Sequence, residues 1–183
     1  MSEFLLELYS EEIPPNLQIA ARKELKLKIQ KSLEEENLKY ETLFDYSCPT
    51  RLTIYIKGLP EKLKILSKEI RGPKVGVLDD ILNRFIMAHN ATKKEVLEKE
   101  TDKGNFYFVK TKAQEVLTKD ILIKIILNSI SSLNWRKSMK WSDSNLIWGR
   151  PLRSILAIYN KKLLPFNYGH LRSTETVIVE QDI

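Results

Sequence analysis

Leu5–Pro15 reads LLELYSEEIPP. A short apolar run is bounded by two glutamates, Glu11 and Glu12, and by two prolines, Pro14 and Pro15. The run is too short for a core helix and its length is set by the prolines, so it predicts a buried strand. From Pro14 onward the period changes. Leu17, Ala21, Leu25, Ile29 and Leu33 recur every fourth residue with lysines and glutamates between them. That spacing predicts an amphipathic helix to about Glu36, with Asn37 as its stop. Acids before a helix start are favoured by its dipole, and proline suits the first helical position. Two adjacent carboxylates in an extended segment point to opposite sides. General acid–base work needs both aimed at one spot, so Glu11 and Glu12 read as a strand-to-helix junction.

The pattern extends outward from this junction. YETLFDYS and RLTIYIKGL are rich in aromatic and β-branched residues and are divided by Cys48, Pro49 and Thr50. Leu52, Ile54 and Ile56 alternate with polar positions, the mark of a half-buried strand. PEKLKILSKEIRGPKVGV, with its charges, prolines and glycines, reads as a connecting segment that can hold a short extended piece. Leu78, Ile81, Leu82, Phe85 and Ile86 form one stripe of a second helix, and Thr92 with Glu95 has the spacing of a capping box for a short third one. NFYFVKTKA is a strand with Phe106 and Phe108 on one face. LTKDILIKIILNSISSL is the most apolar helix, with Thr118 as its cap. RSILAIY and LLPFNYG are two strands flanking a turn at Asn160, Lys161 and Lys162.

The order β-α-β-β-loop-α-α-β-α-β-β favours an α+β fold with a mixed, largely antiparallel sheet and helices packed on it. The expectation is one α/β domain over residues 1–183, with its weakest point between Leu59 and Gly76.

Composition narrows the function classes. The chain has 183 residues, 43% hydrophobic and 30% charged, with 30 basic against 24 acidic residues and a formal net charge of +6. That mild basic excess favours acidic partners without demonstrating one. One cysteine, Cys48, rules out an internal disulfide and reads as a small buried residue. No apolar run approaches the roughly 18 residues of a membrane span, and no leader pattern opens the chain. The expected compartment is the cytoplasm, with no membrane partner. Cys48, His89 and His170 have no metal-ligand spacing. The glycines, at Gly58, Gly72, Gly76, Gly104, Gly149 and Gly169, make no phosphate loop.

The sharpest functional signal is NWRKSMKWSDSNLIWGRPLRS. It holds Trp135, Trp141 and Trp148 interleaved with Arg136, Lys137, Lys140, Arg150 and Arg153. Aromatic faces stack on bases and guanidinium groups grip phosphate. The competing reading is core packing with solvated bases, and the residues alone leave both open.

These same stretches resemble the bacterial glycyl-tRNA synthetase beta subunit. LLELYSEEIPP is similar to that family's LLEIGTEELPP. CPTRLTIYIKGLP is similar to its TPRRLAVLVKGLA, and EIRGPKV to its E-x-KGPP segment. KSMKWSDSNLIWGRPLRSILAIYNKKLLPFNYG is similar to its KSMRWG, FVRPVRWIVALLG and VIPFEIAG blocks. The resemblance implies the N-terminal portion of one half of a heteromeric aminoacyl-tRNA synthetase. It implies an alpha subunit that holds the ATP, with magnesium, and glycine sites. It also implies tRNA as a partner, no cofactor bound by this chain, and no activity of this chain alone.

The remainder of the family's beta chain, including the anticodon-reading part, is missing, and the end after Gly169 departs from the family pattern. A fragment or a shortened reading frame is therefore expected. The second would leave a non-catalytic remnant acting at most as an RNA- or protein-binding module. No catalytic residue is implied. Arg51, Arg71, Lys137, Lys140, Trp141, Arg150 and Arg153 are the residues expected to face tRNA or another subunit. Glu11, Glu12, Pro14, Pro15, Gly72, Pro73 and Pro151 are the family-motif positions expected to be structural. Arg150 could equally bond internal carboxylates such as Glu7 or Glu12.

Overall fold

The structure is a computed structural model that describes residues 2–65, 69–89, 91–102, 104–110, 114–136, 138–140 and 146–177. It divides into two compact units. The first is Met1–Leu63 with Leu117–Ile183, and the second is Lys64–Val116.

The first unit holds strands β1 (Ser2–Ser10), β2 (Thr42–Cys48) and β3 (Arg51–Leu59), and helix α1 (Pro15–Glu35). The chain crosses to the second unit within β4 (Lys62–Ile65). That unit contains β5 (Glu69–Lys74), α2 (Asp79–Ala88), β6 (Val96–Thr101) and β7 (Gly104–Lys110), and the chain returns through β8 (Gln114–Leu117). The first unit then continues with α3 (Thr118–Ser131), β9 (Met139–Lys140), β10 (Ile147–Trp148), β11 (Leu152–Tyr159), β12 (Lys162–Leu163), β13 (Asn167–Tyr168) and β14 (Leu171–Thr174). Its main sheet has the order β13-β14-β11-β1-β3-β2, with β12 paired to β11. The β11–β14 pair is parallel and the other pairs are antiparallel. The fold is α+β with a mixed, largely antiparallel sheet, as the element order predicts.

The core of this unit follows from strand alternation. Phe4, Leu6 and Leu8 of β1 face the same way as Ile56, Ile54 and Leu52, their partners in β3. All six are buried, at 1% exposure or less. Helix α1 lies across β2 and β3 and beside α3. It buries Ala21, Leu25, Ile29 and Leu33 of the predicted stripe. Each fully buried Leu or Ile contributes about 1.5–3 kcal/mol against exposure. Pro15 starts the helix where its missing N–H costs nothing. Asn37 stops it in a left-handed conformation, φ 54°. The N–H groups of Leu38 and Asn37 then donate to the carbonyls of Leu33 and Glu34, and Leu33 and Leu38 are both buried. This is a Schellman closure with an asparagine in place of glycine. On the flank, Asp45 of β2 takes both Arg22 at 3.1 Å and Lys26 at 2.7 Å from α1.

Several sequence expectations are corrected. The stretch read as a connector contains two strands, β4 and β5. LLPFNYG is two short strands, because Pro165 has no N–H to carry the ladder on from β12. The turn before it is a two-residue loop between Tyr159 and Lys162, with Asn160 at φ 49° and Lys161 at φ 61°, a type I′ geometry. Thr92 and Glu95 do pair, the backbone N–H and hydroxyl of Thr92 donating to the Glu95 carboxylate at 2.9 and 3.0 Å. The helix they close is only one 3-10 turn, and β6 follows at once. Thr118 is not a cap: it lies inside α3, and its hydroxyl donates to the Pro60 carbonyl at 2.6 Å. Cys48 is exposed, because it ends β2 at the turn. The apolar stripe of α2 buries only Ile86, while Leu78 and Ile81 are 77% and 46% exposed.

Candidate functional site

At the end of β1 the chain is stitched on both sides. The N–H of Ser10 donates to the Thr50 carbonyl at 2.8 Å, and that of Ile13 to the Pro49 carbonyl at 2.7 Å. Between them the Glu11 N–H donates to the Pro151 carbonyl at 3.0 Å. Ile13 is 1% exposed and anchors the junction in the core. Pro14, at φ −54° and ψ 139°, keeps the backbone extended before α1 begins. SEEIPP, CPTR and GRPLR, far apart in the chain, thus meet at one end of the main sheet.

Glu11 is the hub of this end. Its Oε1 accepts from a guanidinium nitrogen of Arg153 at 2.5 Å. Both side chains are about half exposed, 57% for Arg153 and 45% for Glu11, so the pair is worth at most about 1 kcal/mol. Three shallow grooves share Glu11. One of about 390 Å³ lies between Glu11, Glu12, Pro14 and Arg150. A second of about 670 Å³ is lined by Tyr9, Glu11, Pro151, Leu152, Arg153, His170 and Leu171. A third of about 420 Å³ runs from Tyr9 and Ser10 past both glutamates to Pro49, Thr50 and Arg153. Glu11 and Glu12 are both exposed at this surface.

The arginines expected to face a partner are placed differently from one another. Arg51 is tied inward: its Nε donates to Glu7 Oε1 at 3.1 Å, a terminal nitrogen reaches Thr50 Oγ1 at 3.3 Å, and its guanidinium carbon lies 4.5 Å from the Tyr9 ring centre. Among the described residues no ion pair joins Arg150 to Glu7 or Glu12: Glu7 bonds Arg51, and Glu12 and Arg150 only line the same groove. Arg150 is half-buried and borders the groove beside Glu11 and Glu12. Arg71 lies in the second unit, its guanidinium carbon 3.6 Å above the Phe106 ring. Lys140 is exposed on β9, opposite Ile147. Lys137 and Trp141 lie outside the described residues. Gly72 and Pro73 lie in β5, at the break in register between Arg71 and Lys74.

The two tryptophans among the described residues, Trp135 and Trp148, resolve toward packing. Trp148 is 1% exposed, and its ring lies 4.9 Å from that of Trp135 at 56°. Tyr9, Thr50 and His170 line the grooves as well. Tyr9 and Thr50 fall inside LLELYSEEIPP and CPTRLTIYIKGLP, but their residue types alone do not mark them as groove-lining. Among the described residues, no group of three or more His, Cys, Asp or Glu could hold a metal ion, and no helix is long and apolar enough to cross a membrane.

Residues 4–181 match the family model described as glycyl-tRNA synthetase beta subunit. The glycine–tRNA ligase beta subunit of Rickettsia bellii (strain OSU 85-389) is 40% identical over 171 residues, which is 93% of this chain and 26% of that protein. The beta subunits of Rickettsia felis (strain ATCC VR-1525 / URRWXCal2) and Rickettsia prowazekii (strain Madrid E) are 39% and 38% identical over the same shares. The chain thus spans about a quarter of the length of the curated relatives it matches.

Proposed function

The chain belongs to the glycyl-tRNA synthetase beta subunit family, and from that premise we propose that it supports the ATP-dependent attachment of glycine to its tRNA as the N-terminal part of a beta subunit. In this reading it works with an alpha subunit, which binds ATP, magnesium and glycine, and it helps to hold tRNA. The compartment is the cytoplasm, where the tRNA is.

One observation carries the reading. Three of the stretches that resemble the family converge on Glu11 through backbone hydrogen bonds from Ser10, Glu11 and Ile13. They leave Arg150 and Arg153 at the margin of the grooves. Guanidinium groups bordering a groove, Arg150 half-buried and Arg153 exposed, suit phosphate, whose geometry matches their planar fork. The chain's net charge of +6 favours the same partner.

The test is capture of the chain by a family alpha subunit, together with tRNA binding at low salt. Arg150→Ala is expected to weaken tRNA binding severalfold and to reduce the slope of log affinity against log salt by about 1, with little loss of thermal stability. A chain that binds neither alpha subunit nor tRNA defeats the proposal. A large stability loss with unchanged tRNA affinity removes Arg150 from the contact surface.

A further inference from the structure

The three-stranded sheet of the second unit sorts its charges by face. Residues directly opposed in an antiparallel ladder lie on the same face. Arg71 and Leu97 oppose Phe108, Lys74 and Lys99 oppose Phe106, and Glu69 opposes Lys110. One face therefore carries four cations, Arg71, Lys74, Lys99 and Lys110, against the single carboxylate of Glu69. The alternate positions of β6, Glu98 and Glu100, oppose Tyr107 and Asn105 and belong to the other face. That other face is the one α2 occupies: a β-carbon on Gly72 would stand 2.5 Å from the Phe85 ring. Among the described residues of this unit no helix packs on the cationic face, and Arg71, Lys74, Lys99 and Lys110 are exposed.

The aromatic residues lie under these cations. Arg71 is layered on Phe106 at 3.6 Å, with the Lys74 ammonium 5.9 Å from the same ring centre. Lys99 lies 5.7 Å from the centre of the Phe108 ring, and Phe108 is half-buried. Lys99 is also matched by Glu69 at 2.5 Å, which leaves Arg71, Lys74 and Lys110 for a partner. A guanidinium close over a ring offers its outer side to a nucleobase, and a half-exposed phenylalanine two residues along the central strand offers a second stacking surface. Lysines on both sides can follow the phosphates.

We propose that the β5–β7–β6 face of the second unit binds a single-stranded stretch of RNA. Bases stack on the Arg71–Phe106 pair and on Phe108, and Lys74 and Lys110 hold the backbone. The net cationic charge selects a polyanion, and the two stacking positions on adjacent strands, one on Arg71 over Phe106 and one on Phe108, select bases over a merely acidic peptide. This deepens the reading that the chain contacts RNA, and it assigns a surface distinct from the grooves around Glu11.

The experiment measures binding of the whole chain to a fluorescein-labelled oligouridylate by anisotropy across a salt series, with unlabelled tRNA and polyglutamate as competitors. Arg71→Ala and Phe108→Ala are each expected to weaken oligouridylate binding about fivefold or more. Lys74→Ala with Lys110→Ala is expected to lower the salt slope by about 1.4, at roughly 0.7 per phosphate contact. Those two lysines are exposed, so their loss leaves packing intact, and an unchanged melting curve verifies it. Lys31→Ala, at an exposed lysine of α1, is the control and keeps wild-type affinity. Oligouridylate binding by the second-unit variants that equals wild type overturns the assignment. So does displacement of oligouridylate by polyglutamate as readily as by tRNA, which would make the face a dock for acidic protein. If those variants keep wild-type tRNA binding while Arg150→Ala loses it, this face fails and the functional reading stands. If oligouridylate is held through Arg71 and Phe108 but tRNA is not bound, the face stands and the tRNA reading fails.

Discussion

Arg51 holds Glu7 diagonally across the β3–β1 ladder at 3.1 Å while its guanidinium rests 4.5 Å from the ring centre of Tyr9. The two charged side chains are only 20% and 19% exposed. The pair is therefore less screened than a surface bridge, and losing Arg51 leaves Glu7 partly desolvated without this partner. Arg51→Ala is expected to cost about 1–3 kcal/mol in urea unfolding, and Glu7→Gln about 1 kcal/mol. A double-mutant cycle is expected to return a coupling of about 1 kcal/mol. Strict additivity would mean that Arg51 stabilises the sheet through Tyr9 and Thr50 rather than through Glu7.

Gly149 is where the Trp135 ring seats. A β-carbon there would lie 2.2 Å from the ring carbon Cε3, with Trp148 already packed on the ring's neighbourhood at 4.9 Å. Gly149→Ala has to displace an indole and is expected to cost about 1–3 kcal/mol, the usual range for overpacking. Tryptophan fluorescence is the direct reporter, since Trp148 is buried and Trp135 moves first. An unchanged emission maximum with an unchanged melting temperature would show that the indole relocates freely.

Gly72 makes the same argument in the second unit. Its substituent would meet the Phe85 ring at 2.5 Å, so Gly72→Ala pushes α2 away from β5. The expected cost is again about 1–3 kcal/mol, partly recovered by adding Phe85→Leu. Hydrogen exchange should quicken in β5, α2 and β7 while β1 and β3 keep their protection. Faster exchange in β1 and β3 would show that the two units unfold as one.

What could be read in the chain, and what could not, divides by the range of the interaction. The α1 stripe, the Asn37 stop and the alternation of Leu52, Ile54 and Ile56 are local patterns, and each is realised. β5 escaped because Gly72 and Pro73 interrupt it as a bulge, and β6, VLEKET, escaped because its polar residues are exposed and show no apolar alternation. β14 hides a buried polar residue: the Ser173 hydroxyl accepts from the Phe166 N–H and donates to the Leu164 carbonyl, bonds no composition reveals. The α2 stripe shows the opposite failure, a correct period whose apolar residues Leu78 and Ile81 face solvent. At the candidate site the glutamates were legible as a junction. Arg153, the partner of Glu11, stands 142 residues away and is set by register, which has no local signature.

Glu69 gives the cationic face of the second unit a pH signature. The hydrogen bond from Lys99 is the largest influence holding its carboxyl below the ordinary glutamate value, followed by the charge of Lys99, with Lys110 adding to them. A carboxyl depressed in the folded state stabilises the fold above the unfolded value, about 4.3, and that contribution is lost as pH falls through the folded value. The carboxyl is solvent-exposed, so added salt should raise its midpoint by screening Lys99 and Lys110. Carbon-detected NMR titration of Glu69 is the measurement. Lys99→Ala is expected to return the midpoint most of the way to the free carboxyl, and Lys110→Ala to move it less, because Lys110 acts through charge alone. A Glu69 midpoint that ignores the loss of Lys99 would break the link between this bridge and the charge balance of the face. All four cations would then be left for a polyanion, and the salt dependence of RNA binding would steepen accordingly.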